Sequence, residues 1–186
     1  MKFLLLCAVL LPSAALADEW GLGLRAVSQR VDPEGGGGNG IDLGGGGVLV
    51  RWRLGERLSL EVGLDGVHGQ LGGGAYDRRT TSLSLAGIVH LTPGSPWNLY
   101  VVGGLGTVTD RVTFIDAGGN DDAVELKEGL VRLGGGLEHR WQHIGVGIEA
   151  SVIGLWRTDD DAGFPSDLVP RKSGGGQLGL QAAYYF

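Results

Sequence analysis

Apolar and polar side chains alternate one by one through most of this chain. After Trp20, residues Leu22, Leu24 and Ala26 share one face, while Gly21, Gly23, Arg25 and Val27 share the other. That period of two belongs to a β-strand with one face in an apolar environment. The pattern returns at Val48, Val50, Trp52 and Leu54, at Leu58 to Leu64, at Leu83 to Leu91, at Val131 to His139, at Ile144 to Val152 and at Leu178 to Phe186. One further segment, Trp97 to about Asp110, is apolar on both faces, so its orientation stays open. Eight strands result. Polar connections at Gln29 to Asn39, Val67 to Arg79, Arg111 to Glu125 and Arg157 to Lys172 are long. Those at Gly55-Glu56, Thr92 to Pro96 and Arg140 to Gln142 are tight and rich in turn formers. A strict long and short alternation puts every long connection at one end of an up-and-down meander.

Eight aliphatic strand faces need cover, and after the first residues there is neither a helix-period segment nor another long apolar run. Met1 to Ala17 has one early positive charge, a short apolar stretch and Ala15-Leu16-Ala17 before Asp18, which reads as a secretory signal peptide. Its apolar run is too short for a spanning helix, which needs ~20 residues. Residues 1–17 are therefore expected to be removed, and Cys7 with them, leaving 18–186 as one domain without cysteine. Losing Lys2 leaves 14 basic against 21 acidic side chains, a net charge of −7 that gives nucleic acid no footing. The 37 glycines interleave with Leu, Val and Ile and so are not a low-complexity tract. Only helices and closed barrels satisfy their backbone in lipid. The fold class expected is all-β, an eight-stranded antiparallel up-and-down transmembrane β-barrel whose strands suit ~9–11 residues per tilted crossing.

The aromatic residues give a second, independent sign. Trp20, Trp52, Trp97, Trp141, Tyr184 and Phe186 all fall at the short-turn or terminal end of their strands, as a membrane-interface girdle would require. Trp156, Phe114 and Phe164 would form a weaker outer band. The opposite faces carry a mixed set of charges, expected to meet inside. Arg25, Arg51, Glu61, Glu149 and Gln181 lie at similar depth, Asp65, Arg132 and Gln177 form a second layer, and Glu138 belongs to the same face of its strand. So small a barrel has room for little beyond side chains. A polar plug is expected, with a narrow ion-conducting pore as the alternative.

The signal peptide, the eight alternating segments, the loop rhythm and the terminal Ala182-Ala183-Tyr184-Tyr185-Phe186 resemble the small eight-stranded outer-membrane barrels of Gram-negative bacteria, the family of the outer-membrane protein A transmembrane domain and its opacity-protein relatives. The resemblance covers 18–186 and rests on pattern. It implies a monomer in the bacterial outer membrane, with outer-membrane lipid and lipopolysaccharide as partners. It also implies that residues 177–186 are read by the barrel assembly machinery. No peptidoglycan-binding domain is expected after Phe186.

Signals for chemistry are weak. Gly145-Val-Gly147-Ile-Glu-Ala150 imitates a dinucleotide fingerprint but lacks the following helix. The glycine runs at 35–38, 72–74 and 174–176 lack the Lys-Ser/Thr of a phosphate loop. His139, His143 and Glu149 are the best enzyme candidates, since some barrels of this kind modify lipid A with a His, a Ser and an acid. No Ser stands at the needed spacing, and both His residues flank a short turn. Asn120 to Asp122 and Asp159 to Asp161 lack calcium-loop spacing. The reading is a non-enzymatic barrel without cofactor or metal, serving envelope integrity or surface contact, with a lipid A-modifying enzyme as a further alternative.

Overall fold

The computed structural model describes residues 19–33, 40–71, 76–115, 121–157 and 172–186. The signal-peptide reading lies outside them. Eight strands run in chain order: β1 (Glu19–Pro33), β2 (Ile41–Arg53), β3 (Leu58–Leu71), β4 (Tyr76–His90), β5 (Trp97–Ile115), β6 (Asp121–Trp141), β7 (Ile144–Arg157) and β8 (Lys172–Tyr185). Each pairs antiparallel with the next, and β8 pairs with β1, so the sheet is a closed barrel. Moving from partner to partner once around, from Gly21 through Arg51, Glu61, Ala86, Gly104, Arg132, Ile153 and Gly175, returns to β1 at Val31. That ten-residue displacement is the barrel's stagger, and it tilts the strands by about 35–45° to the axis.

Tight turns close the end that carries Glu19 and Phe186. Gly55, at φ 113°, takes the left-handed region between β2 and β3, and Gln142, at φ 48°, does so between β6 and β7. The last turn is Gln142-His143, so Arg140 and Trp141 belong to β6.

Through the half of the barrel near these turns the distribution of side chains is inverted relative to a soluble protein. Leu24, Leu105, Leu133 and Leu180 stand outward, each more than 60% exposed, while Arg51 and Glu61 are 1% exposed inside. The fifth strand is resolved in the same sense, with Trp97, Leu99, Val101 and Leu105 outward and Asn98, Tyr100, Val102 and Asp110 inward. The outward apolar run covers nine residues in β5, from Trp97 to Leu105, which fits one tilted crossing of ~9–11 residues. Trp20 stacks on Phe186 with ring centroids 4.2 Å apart, and His139 sits between Trp97 and Trp141 at 4.3 and 4.1 Å. These residues and Tyr184 ring the lower edge, and Trp52 is half-buried. Trp156 stands outward above the belt; Phe164 and the Phe114 side chain lie outside the described residues.

Farther from the turns the strands outrun the sequence reading. Gln29 to Pro33, Val67 to Leu71, Tyr76 to Arg79, Arg111 to Ile115 and Asp121 to Glu125 are strand, not loop. β2 likewise begins at Ile41, seven residues before Val48. The cause is a change of hydrophobic parity. Above Leu24 the buried apolar residues of β1 are Val27 and Val31; above Leu105 those of β5 are Val108 and Val112; beyond Val152 those of β7 are Ile153 and Leu155. Apolar residues now point inward and polar ones outward, so the ladder continues as an ordinary water-exposed barrel wall around its own small core.

The belt predicts a depth-dependent penalty for charge. Ile148→Arg, mid-belt on β7, is expected to cost about 2–4 kcal/mol and Ser28→Arg, at the upper edge, about 0–1 kcal/mol, in reversible denaturant unfolding from lipid vesicles. Equal costs would contradict the belt.

Candidate functional site

The inward faces of the lower half meet as one ionic network. Glu61 on β3 is its hub. One of its oxygens accepts from Arg51 Nη2 at 2.6 Å and Nε at 3.2 Å, and the other accepts from Arg25 Nη1 at 3.1 Å and Arg132 Nη2 at 3.2 Å. Arg25 also grips Asp65 through two nitrogens, in the fork geometry that suits a carboxylate. Arg51 Nη1 donates to Glu138 at 2.7 Å and to the Tyr185 hydroxyl at 3.0 Å, and Tyr185 in turn donates to Glu138 at 2.9 Å. Arg132 pairs with Glu149 at 3.5 Å, Tyr100 donates to Glu149 at 3.2 Å, and Gln181 donates to Tyr100 at 2.8 Å. These contacts join β1, β2, β3, β5, β6, β7 and β8.

Arg140 extends the network to the lower rim. It donates to Glu138 at 3.2 Å and to Glu19 at 2.7 Å, and its guanidinium lies 3.9 Å from the Tyr185 ring centroid. Arg25, Arg51, Arg132 and Arg140 are thereby matched by Glu61, Asp65, Glu138 and Glu149. Such balance is required, because an unpaired charge in this enclosed space carries a penalty of several kcal/mol. Glycines make the space: a Cβ on Gly63 would strike the Arg25 guanidinium, and one on Gly136 would strike the Tyr100 hydroxyl.

Of the residues singled out in the sequence, Arg25, Arg51, Glu61, Asp65, Arg132, Glu138, Glu149 and Gln181 meet here. Gln177 is half-buried and lines a small cavity above them. The two expected layers are one: Arg25 spans both by holding Glu61 and Asp65, and Arg132 reaches from the upper level to Glu61 and Glu149. The stagger of the barrel brings residues of unequal depth in their strands to one height.

Three groups escaped the sequence reading. The first is Tyr100 and Tyr185, inward aromatics whose hydroxyls bridge the charges. The second is Ser59, His90 and Asn98, where Ser59 Oγ lies 2.7 Å from His90 Nε2 and the Asn98 amide meets the other ring nitrogen. Ser59 and His90 are each 1% exposed, so this trio is an interior hydrogen-bond chain with no access for substrate. The third lies far above, where Asp110 is held by Arg78 and Thr80, and Glu128 lies 3.9 Å from Arg78. Arg78 belongs to the stretch Val67 to Arg79 whose sequence reads as a loop.

Between the two polar groups the lumen is apolar. Val27, Val31, Leu43, Val67, Val108, Leu130, Ile153 and Leu155 pack into one buried cluster. Under it a cavity of about 20 Å³ is lined by Asp65, Ser84, Arg132 and Gln177, room for about one water. The sequence leads one to expect a polar plug; the lumen departs from that in its upper part, where an apolar collar caps the ionic network. His139, His143 and Glu149 do not converge. His139 is held among outward tryptophans, His143 Nδ1 donates to the Tyr185 carbonyl oxygen at the turn, and Glu149 is in the lumen.

A closed meander with an outward apolar belt, an aromatic girdle and an ion-paired lumen defines the fold of an outer-membrane-type β-barrel. Solved structures carry the same fold. The attachment invasion locus protein Ail of Yersinia pestis aligns with a TM-score of 0.60 at 14% identity over 90% of this chain and 98% of that one. Neisserial surface protein A gives 0.60 at 14% over 90% and 97%, and a major outer membrane protein from Thermus thermophilus gives 0.61 at 15% over 90% and 99%. No protein-family model and no curated protein matches the chain.

The hub yields a direct expectation. Glu61→Ala leaves three guanidiniums short of a partner and should destabilise the barrel by about 3–5 kcal/mol. A double-mutant cycle of Glu61→Ala with Arg51→Ala should show a coupling of about 0.5–3 kcal/mol in vesicle-based unfolding. Strict additivity would contradict direct pairing.

Proposed function

We propose that this chain is a monomeric, non-enzymatic barrel of the bacterial outer membrane, with an occluded lumen, that serves envelope integrity or surface contact through the end rising above the belt. The observation that carries the reading is the double closure of the lumen: an ion-paired network tying seven strands together, and above it a collar of aliphatic side chains. Ions would have to break buried charge pairs and then cross a dewetted apolar zone. The narrow-pore reading has no such support.

Sidedness follows from the asymmetry of the strands. Tight turns, the start of β1 and the end of β8 stand at one edge of the belt, and all eight strands run on past the other, which matches short periplasmic turns and taller external structure. The outward belt supports contact with outer-membrane lipid and lipopolysaccharide. The β8 strand, ending in alternate outward Tyr184 and Phe186, is the segment offered to the barrel assembly machinery. Hydrogen bonding to both β7 and β1 leaves no strand edge for a second copy, which supports a monomer.

Purified protein in a planar lipid bilayer is expected to be electrically silent across the range of voltages the bilayer withstands. Reproducible discrete current steps would overturn the occluded-lumen reading in favour of the pore.

A further inference from the structure

We propose that the outward face of the β4–β5 seam is a binding site for a phosphorylated glycolipid of the outer leaflet, with Arg79 and Arg111 holding its phosphate. This rests on the outer-membrane reading above and assigns a place to the lipid. The two arginines are Cα partners in the ladder, and both side chains are exposed on the outer surface. Like charges directly opposite each other on a sheet face destabilise it. Arg79 has only a loose contact with Asp77, at 3.9 Å with its own side chain 75% exposed. Among the described residues no carboxylate pairs with Arg111, although Glu125 stands opposite it on β6. His68, opposite Arg79 on β3, is exposed on the same surface. Elsewhere at this height the outward rungs differ: Arg30 faces Asp42 on β1–β2, and Trp156 faces Lys172 on β7–β8. Two facing guanidiniums are what a phosphate needs for paired, bidentate contacts.

The rungs below complete the outline of a lipid. Beneath the arginines, Thr81 faces Thr109 and supplies hydroxyls at headgroup level. Two rungs lower, Leu85 faces Leu105, both at least half exposed. Gly87 then faces Gly103, and an added Cβ at either would find no atom closer than 3.8 Å. That leaves a shallow slot in the belt for an acyl chain, in line with the cationic rung above. Charge, hydroxyls, aliphatic wall and slot follow one another in the order of a phosphate, a sugar and its acyl chains, at the edge of the belt assigned to the outer leaflet.

The test uses the full chain folded in detergent, titrated by native mass spectrometry with three probes: bisphosphorylated lipid A, the same lipid dephosphorylated, and phosphatidylglycerol. Bisphosphorylated lipid A should bind tightest. Arg79→Gln with Arg111→Gln should weaken it by at least about tenfold, the factor supplied by one charged hydrogen bond. Arg30→Gln, on the far seam, should leave it unchanged. Arg79→Lys with Arg111→Lys should weaken it less than the Gln pair. Equal binding of phosphorylated and dephosphorylated lipid, equal binding of phosphatidylglycerol, or a Gln pair that binds like the unsubstituted chain would each overturn the site. Heat-modifiable gel migration, checked for every variant, separates this from the underlying reading. A chain that never shows a compact band contradicts the outer-membrane barrel itself, whereas a compact barrel indifferent to phosphate contradicts only the lipid site.

Discussion

Inside a hydrocarbon layer no water is present to satisfy a peptide group, and that constraint shapes everything in this molecule. Each strand must find both neighbours, so β8 returns to β1 and the sheet has no edge. Closure fixes two environments, lipid outside and a narrow enclosed lumen inside. With only eight strands the lumen is filled by side chains. Polar side chains placed there have lost water and must satisfy one another, which explains why each buried arginine of the network is met by a carboxylate and why two tyrosine hydroxyls bridge the charges. The network is thus a consequence of the barrel's closure and also its interior brace.

The wall above the lipid obeys the opposite rule. Where water bathes the outside, apolar residues turn inward and form the collar from Val27 to Leu155. The transition occurs within single strands, by a one-residue change in which parity is apolar. In β7 the outward Val152 is followed at once by the inward Ile153. The membrane boundary is written into each strand as this change of phase.

This explains what could be read from the sequence and what could not. The belt strands were legible because Leu22, Leu24, Leu83, Leu85, Ile144 and Val146 keep one parity, and the eight-stranded meander follows from them. The strand ends were not legible, because a search for continued alternation stops where the parity changes. Asp77, Arg78 and Arg79 then look like loop, although Arg78 points inward to Asp110. The fifth strand reads as apolar on both faces because its inward residues are apolar too: Leu99, Val101 and Leu105 face lipid, while Val102 packs with Ala86, Ile88 and Tyr100 in the lumen and Val108 joins the collar. The charges of the network were visible as inward-parity residues in the belt. Their partners were not, since pairing such as Arg51 with Glu138, on strands four apart in the sequence, depends on the ten-residue stagger. Tyr100 was hidden because its strand is apolar on both faces, and Tyr185, although it shares the parity of Gln181, because an aromatic residue does not read as a partner of buried charges.

The central claim is the sense of the alternation: aliphatic side chains toward lipid, ionic ones toward one another. Nitroxide labels placed singly from Gly145 to Val152 on β7, in the folded protein in lipid vesicles, test it most directly through collision with oxygen dissolved in the bilayer. Labels at 146, 148, 150 and 152 should collide frequently and those at 145, 147, 149 and 151 rarely, with the peak near 148. The reverse phase, or no alternation at all, would contradict the account.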